Sequence, residues 1–515
     1  MQRAFVLLLP LLFAGSGAQE RGAFHPPHRQ HRHARGRSYP ALRGSMKHLV
    51  PSGDGDGEDA TTTVLDADLL IPGIGKPIGN ATLQFSSNGT IIFAGPRAEA
   101  PPFSGPVFDL GRVPVIMPGI WDVHTHFAGT DCDSLSSGMS FHSSTGGYFP
   151  EKYDNYACAL AQLRETLCAG VTSVRELGGM YGQSLKHVSE SALFPSPHFY
   201  HASKPIGMTG GHADNQYMPT MITRNDYDAQ YEAFGALCDG PDGCVRKVRE
   251  QLRAQSDLIK IMTSGGVLSA FDSPLDQELS LAEVKAMVDE AHRARRVVAA
   301  HAHGIPGIVS AIQGGVTTLE HGSYLNSTLA EEARDAGMLY VPTVTICQTF
   351  NRTDKPDEYD DLQWAKGVSV LEHNTAAVKA AIKAGLPMAT GTDCPGNCAQ
   401  AGSEAVWLST FGLDPLDAIQ AATANGPLAL GMGLFGTDGM APLSGQLKAG
   451  FVADVIALTA SPLLNMTLLT DSSQITHIIK AGVVYKSPSE TGICENAQTN
   501  DPTLVNTWMP EAPEW

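Results

Sequence analysis

The sequence has few charged residues, few aromatic residues and a shortage of basic residues over most of its length. Of 515 residues, 17% are charged and 7% aromatic, whereas 43% are hydrophobic, which is typical of a globular chain and excludes a disordered one. Residues 1–48 hold eight Lys/Arg and one acidic residue, so residues 49–515 carry a net charge of −25. A body this acidic is a poor partner for nucleic acid or anionic lipid.

Long apolar runs are also scarce. Only the N-terminus has one, from Ala4 to Ala14, and it is too short to span a bilayer. Arg3 precedes it and Ser16-Gly-Ala18 follows, a pattern that predicts a signal peptide over residues 1–18. The alternative is a cytosolic protein with an apolar start. No later segment, including the C-terminus, predicts a membrane helix or a lipid anchor.

Two further features favour a secreted protein. Cys238 and Cys244 flank a turn and predict a local disulfide, Cys394 and Cys398 are a second candidate pair, and the odd total of nine cysteines leaves at least one thiol free or paired between chains. Five sequons predict glycosylation at Asn80, Asn88, Asn326, Asn351 and Asn465.

The pattern of strands and turns divides the chain. Residues 19–61 predict a disordered arm and linker, and residues 488–515 a C-terminal tail. Short strands over 62–117 and 438–487 predict a small β-sandwich built from both ends. Between them, residues 118–437 repeat a helix, a glycine and a short apolar strand, with no glycine-rich nucleotide motif. This predicts an α/β fold in which a (βα)8 TIM barrel carries the β-sandwich.

Ligand-type residues end several of the predicted barrel strands. His124 and His126 lie two apart at a strand end, so both side chains point the same way. Other predicted strands carry Lys260, end in His301 and His303, or end in His321 and Asp393. Each alone is ordinarily a structural residue, but together at the catalytic face of a barrel they predict a shared metal centre.

The same stretches resemble the amidohydrolase superfamily of metal-dependent hydrolases over about residues 62–487. Within it, the chain is most similar to the prolidase-like branch that includes fungal ochratoxinase. The matching segments are Met117–His126, Thr209–Asp214, Leu258–Val267, Ala300–Gly304, Leu319–His321, Gly391–Asp393 and Gly445–Leu458.

The resemblance implies a binuclear zinc site. It implies that His124, His126 and Asp393 hold one ion, and that His301 and His321 hold the other. Lys260 would carry a carbamate formed with carbon dioxide and bridge both ions, and its apolar strand favours the neutral amine that this reaction needs.

The implied reaction is hydrolysis of an amide by a metal-activated water. Asp393 would act as general base and then general acid. His303 would contact the substrate or stabilise the tetrahedral intermediate. His212 would line the pocket, unless either histidine only orients a ligand.

Two long loops, 129–150 and 203–244, are predicted to cover the pocket. Arg175 and Arg224 are candidates to bind a substrate carboxylate, although Arg175 could instead pair with Glu176. The leading prediction is a secreted zinc amidohydrolase acting on a small-molecule amide, such as an N-acyl amino acid, a dipeptide or a mycotoxin amide. The alternatives are a cyclic amide or imidazolone hydrolase and a catalytically silent metal-binding barrel. Homo-oligomers are common in the family, but the sequence fixes no number.

Overall fold

The structure is a computed structural model, and the residues it describes all belong to one compact unit, Ser45–Trp515. The described residues are 61–127, 152–179, 181–214, 216, 235–356, 359–394, 398–434, 442–489 and 493–494. The predicted signal peptide and almost all of the predicted arm and tail therefore lie outside them.

Strands from both ends of the chain form a seven-stranded sheet. They are β1 (Thr62–Leu70), β2 (Ile78–Ser86), β3 (Ile91–Pro96), β4 (Val107–Pro118), β14 (Val455–Leu458), β15 (Ile475–Lys480) and β16 (Val483–Lys486). The order is β16-β15-β14-β4-β1-β2-β3, with β1 and β4 parallel and the other pairs antiparallel. The predicted joining of the two ends is present.

The β-rich part predicted from both ends of the chain is present as one hydrogen-bonded sheet, and its arrangement as a sandwich stays a prediction. Strand β4 is 12 residues long, which lets β1 pair along it from Val107 to Ile116 while β14 pairs with its last four residues. One long strand thus joins the N-terminal and C-terminal strands edge to edge. Buried side chains from both ends, including Leu65, Leu83 and Ile479, form one apolar cluster.

Nine further strands form two mostly parallel sheets in the middle of the chain. They are β5 (Ile120–Thr125), β6 (Val171–Glu176), β7 (His198–His201), β8 (Ile206–Gly207), β9 (Ala236–Leu237), β10 (Ile259–Met262), β11 (Val298–Ala302), β12 (Thr318–His321) and β13 (Leu339–Val341). One sheet has the order β5-β6-β7, and the other β13-β12-β11-β10-β8-β9. All pairs in both are parallel.

Main-chain hydrogen bonds connect these two sheets on both sides. On one side, segment 386–394 bonds to β13, where Ala389 N–H donates to Tyr340 O, and to β5, where Asp393 N–H donates to His124 O. On the other side, the N–H of Asp257 donates to His201 O at 2.8 Å. Apart from β9, which lies at the sheet edge beyond β8, the parallel strands therefore follow one another in chain order.

Helices alternate with these strands, and glycines end several of them. The helices are α1 (Lys152–Cys168), α2 (Gly182–Glu190), α3 (Pro241–Arg253), α4 (Leu281–Arg293), α5 (Ile305–Gly314), α6 (Ser327–Asp335), α7 (Val344–Gln348), α8 (Asp361–Ala384), α9 (Gly402–Thr410) and α10 (Pro415–Ala421). Gly315 and Gly385 adopt the left-handed conformation at helix ends, as predicted. Ser280 and Glu283 form a capping box at the start of α4.

Disulfides join both near and distant cysteines. The predicted pairs Cys238–Cys244 and Cys394–Cys398 are both formed, and Cys168 bonds to Cys494, 326 residues away. Cys347 is a free, buried thiol. In the described part of the chain, no helix combines the length and apolar character needed to cross a membrane.

Candidate metal centre

The six predicted metal ligands come from four strands and from segment 386–394. His124 is on β5 and His126 follows it, Lys260 is on β10, His301 is on β11, His321 ends β12, and Asp393 is on segment 386–394. Five side chains are deeply buried, each with at most 4% of the residue exposed: His124, Lys260, His301, His303 and His321. His126, His212 and Asp393 keep about a fifth of the side chain exposed, so the site opens on their side.

One group of ligand atoms surrounds the carboxylate of Asp393. Its Oδ1 lies 3.3 Å from Nε2 of His124 and 3.1 Å from Nε2 of His126. The amine of Lys260 lies 3.4 Å from the same Nε2 of His124. These atoms are close enough together for His124, His126 and Asp393 to hold one metal ion.

A second group consists of imidazoles. His301, His303 and His321 each offer a nitrogen within 4.8 Å of the others. Asp393 lies between the groups, since its Oδ2 is 3.9 Å from Nδ1 of His321. The structure therefore places His303 within ligand distance of this group, whereas the sequence predicted it to contact the substrate.

Three of the histidines face an acceptor with one ring nitrogen and so keep a lone pair on the other. Nδ1 of His124 donates to Glu320 at 2.8 Å, and Nδ1 of His126 donates to Gly178 O at 2.9 Å. Nε2 of His301 lies 3.2 Å from the main-chain carbonyl oxygen of Gly265. Because a carbonyl oxygen can only accept, Nε2 of His301 is the donor. A neutral imidazole that donates through one nitrogen has its lone pair on the other, which is the form that binds metal.

Electrostatics keep these groups in ligand form. Burial lowers the pKa of His124 to about 4 and holds the pKa values of His301 and His321 well below the usual histidine value. Burial also lowers the pKa of the Lys260 amine to about 8. Burial opposes ionisation of Asp393, but the facing His124 and other positive groups outweigh it and hold the carboxyl pKa well below its usual value. The donor set fits a cation.

Backbone strain accompanies two of the ligands. Asp393 and His321 have φ values of +57° and +66°, a region that non-glycine residues rarely adopt. Strain of this kind persists where the surrounding structure holds it, often at functional sites. Gly391 allows the close approach, because a Cβ there would lie 2.7 Å from Cβ of His124.

The sequence did not predict the buried ion pair behind His124. Glu320 has no exposed surface, and its Oε1 accepts a hydrogen bond from Nη2 of Arg175 at 2.7 Å. Arg175 also donates to the carbonyls of Val123 and Ala429. Arg175 is therefore not the predicted ligand for a substrate carboxylate, and its partner is Glu320, not Glu176. The sign of this ion pair that the sequence offered was a charged residue inside a buried strand.

His212 joins the centre, as predicted for a pocket residue. Its ring stacks on that of His301, with ring centres 4.3 Å apart. Gly266 makes room for it, since a Cβ at this position would lie 2.1 Å from the imidazole of His212. Loop 129–150, Arg224 and residues 217–234 of loop 203–244 lie outside the described residues, so their predicted roles stay predictions.

The parallel strands carry, at their carboxyl ends, histidines and a carboxylate that could hold a metal ion. The model of the amidohydrolase family matches residues 115–485. The chain therefore belongs to the amidohydrolase family, and it is a hydrolase that acts on amide bonds.

Individual relatives agree with this assignment. Ochratoxinase from Aspergillus niger is 35% identical over 441 residues, covering 84% of this chain and 88% of the relative. The crystal structure of A. niger ochratoxinase is similar with a TM-score of 0.73 and 34% identity, covering 86% of this chain and 99% of that one. A Xaa-Pro dipeptidase with bound methionine shares the fold, with a TM-score of 0.70, 24% identity and coverage of 83% and 100%.

Proposed function

We propose that this protein is a secreted binuclear zinc amidohydrolase that cleaves an amide bond in a small molecule. In this proposal His124, His126 and Asp393 hold one zinc ion and His301 and His321 hold the second. The observation that carries it is the orientation of the imidazoles, which have their outer nitrogens bonded and their lone pairs directed inward.

Lys260 is proposed to bridge the two ions as a carbamate. Its amine lies 3.4 Å from Nε2 of His124 and interacts electrostatically with Glu320 and Asp393, and with His301 and His321 of the other group. An ammonium has no lone pair for a metal, whereas a carbamate is a two-oxygen anion. A pKa of about 8 leaves an appreciable neutral fraction at pH 7 to 8, and only the neutral amine adds carbon dioxide.

When bound, two zinc ions would supply a strongly acidified water and polarise the substrate carbonyl. The chain's own residues then move the protons. Asp393 has its carboxylate partly exposed at the opening of the site, where it can accept a proton and return it to the leaving amine. His303 has its Nδ1 held by Ser323 at 2.9 Å, which leaves its Nε2 to contact the substrate.

Three measurements on one preparation test this proposal. Metal analysis should give two zinc ions per chain, and mass spectrometry under native conditions should show one carbon dioxide adduct that Lys260→Ala removes. Asp393→Asn should keep the fold and abolish turnover. Full activity of Asp393→Asn, or an unmodified Lys260 with at most one metal ion, would contradict the proposal.

The proposed substrates are N-acyl amino acids, dipeptides or mycotoxin amides. The similarity to A. niger ochratoxinase supports this class. A hydrolysis screen should pair ochratoxin A and carboxypeptidase-type substrates with cyclic amides as the alternative. Turnover of cyclic amides alone would replace this substrate class with the alternative.

We further propose that the two central sheets are parts of one closed (βα)8 barrel and that the chain passes through the secretory pathway. Exposed sequons and several disulfides support secretion. The exposed asparagines, proposed as glycosylation sites, are Asn80, Asn88, Asn326, Asn351 and Asn465. Secreted expression followed by glycosidase treatment should lower the apparent mass, and sedimentation should show whether the chain forms a homo-oligomer.

A further inference from the structure

A hydrogen-bonded relay stands behind His212, on the side away from the metal ligands. Nδ1 of His212 lies 2.9 Å from Oγ of Ser269. The hydroxyl of Ser269 in turn bonds to the carboxylate of Asp272. Oδ2 of Asp272 is 3.7 Å from the same Nδ1. All three groups come from loops at the carboxyl ends of the strands.

Asp272 is held as an acceptor. Its Oδ2 accepts the N–H of Gly266 at 2.8 Å, and the ammonium of Lys366 on α8 lies 3.6 Å from its Oδ1. Burial alone would raise the pKa of Asp272, but His212, Ser269 and the other facing donors lower it. The carboxyl group of Glu278, which burial and Asp272 keep protonated with a pKa of about 9, also faces it.

These contacts determine which nitrogen of His212 carries the proton. A serine hydroxyl has one hydrogen, and an ionised carboxylate can only accept. Ser269 therefore donates to Asp272 and accepts from Nδ1–H of His212. The neutral ring then has its lone pair on Nε2, which has no protein hydrogen-bond partner within the described ranges.

We propose that Nε2 of His212 accepts a hydrogen bond from the N–H of the substrate's scissile amide, and that Ser269 and Asp272 are positioning residues for this contact. The inference rests on the proposed function and deepens it. It predicts that secondary amides, which carry an N–H, are the substrate class. Tertiary amides, such as those formed by proline, lack that hydrogen and leave the acceptor unpaired.

The backbone supports the same orientation. The N–H of His212 donates to Oε1 of Glu278 at 2.7 Å, so both the main chain and the ring of this residue are anchored. The other oxygen of Glu278 and Oδ1 of Asp272 are buried and have no hydrogen-bond partner when both groups are treated as carboxylates. One proton shared between the two carboxyl groups satisfies both oxygens. The contact of Glu278 with the His212 backbone and the relay of Ser269 and Asp272 therefore form one hydrogen-bonded network.

The test compares an N-acyl amino acid ester that has a secondary amide with its N-methyl analogue. We expect wild-type kcat/KM to favour the secondary amide at least fivefold, since an acceptor left unpaired under bound substrate costs about 1–3 kcal/mol, a factor of about 5 to 160. Ser269→Ala and His212→Ala should reduce this preference to within about threefold while the zinc content stays the same. Asp276→Asn, on the same loop but exposed, is the matched control and should keep the preference.

A second readout does not depend on turnover. Nitrogen-15 spectra of histidine-labelled, metal-free protein should assign His212, by difference from His212→Gln, to the Nδ1–H form, and Asp272→Asn should weaken that assignment. A wild-type enzyme that cleaves both amides equally well, or a His212 protonated at Nε2, would overturn this inference. A wild-type protein that cleaves no amide with zinc bound would instead overturn the proposed function.

Discussion

The ion pair of Arg175 and Glu320 should be the most sensitive buried contact behind the site. Neither side chain has any exposed surface, and Oε1 of Glu320 accepts from Nη2 of Arg175 at 2.7 Å. Glu320→Leu removes the only carboxylate bonded to Arg175 in the described residues and leaves a buried cation. Breaking a buried pair in this way costs about 3–5 kcal/mol of unfolding free energy. Because Arg175 keeps its bonds to the carbonyls of Val123 and Ala429, we expect the lower end of that range.

A double-mutant cycle separates the pair from its surroundings. Arg175→Met combined with Glu320→Leu removes both charges, so the loss should be smaller than the sum of the single losses by about 2–3 kcal/mol. Urea unfolding of the metal-free proteins, followed by tryptophan fluorescence at constant m-value, gives the four free energies. Asp335→Asn, which breaks an exposed pair with Arg334, is the control and should change stability by no more than about 0.5 kcal/mol.

Glu320→Leu should also weaken metal binding. Oε2 of Glu320 accepts from Nδ1 of His124 and so directs the lone pair of Nε2 toward the centre. Loss of such an outer partner typically lowers metal affinity 10–100-fold. If Glu320→Leu had the same unfolding free energy and the same zinc affinity as Asp335→Asn, the assignment of Glu320 as a charged group that orients His124 would be wrong.

Three other predictions concern space, pH and metal. Gly266→Ala should displace His212 and lower kcat, at a stability cost of about 1–3 kcal/mol, whereas Gly243→Ala, with open space around it, should preserve activity. Burial raises the pKa of Glu404 to about 8, so the folded state holds this proton more tightly than the unfolded state does. The stability of the wild type should therefore fall relative to that of Glu404→Gln as the pH rises from about 4.5 to 8, and the two stability curves should run parallel above pH 8. Curves that are parallel at every pH would disprove the shift. Chelation should lower the melting temperature, and excess zinc should restore it, because the unfolding free energy rises by about 1.4 kcal/mol for each tenfold increase in free zinc. A melting temperature independent of zinc would argue against a resident ion.

Local features of the fold could be predicted from the sequence because they depend on neighbouring residues. The glycines that end helices, such as Gly315 and Gly385, and the capping box at Ser280 follow from backbone conformations that few residues adopt. The same holds for the side-chain alternation that placed His124 and His126 on one face of a strand end. Short-range rules therefore predicted most of the central elements.

Features that depend on distant strands could not be predicted. Glu320 contacts Arg175, 145 residues away, only because the fold brings strands β6 and β12 close together. Cys168 and Cys494 are 326 residues apart, so no spacing rule pairs them. The strand order of the β-rich sheet likewise depends on β4, which pairs with strands from both ends of the chain.

The orientation of the histidines gives the strongest argument that the centre binds cations. The outward bonds of His124, His126 and His301 leave a lone pair on each inner nitrogen, and the ionised carboxylate of Asp393 adds further acceptor atoms. These acceptors repel one another, and burial prevents His124 and His301 from relieving this by taking up protons, whereas at His126 the facing Asp393 outweighs burial and raises the pKa. The folded chain therefore maintains an arrangement that is unfavourable by itself and becomes favourable when a cation binds, which is how protein stability becomes linked to metal concentration.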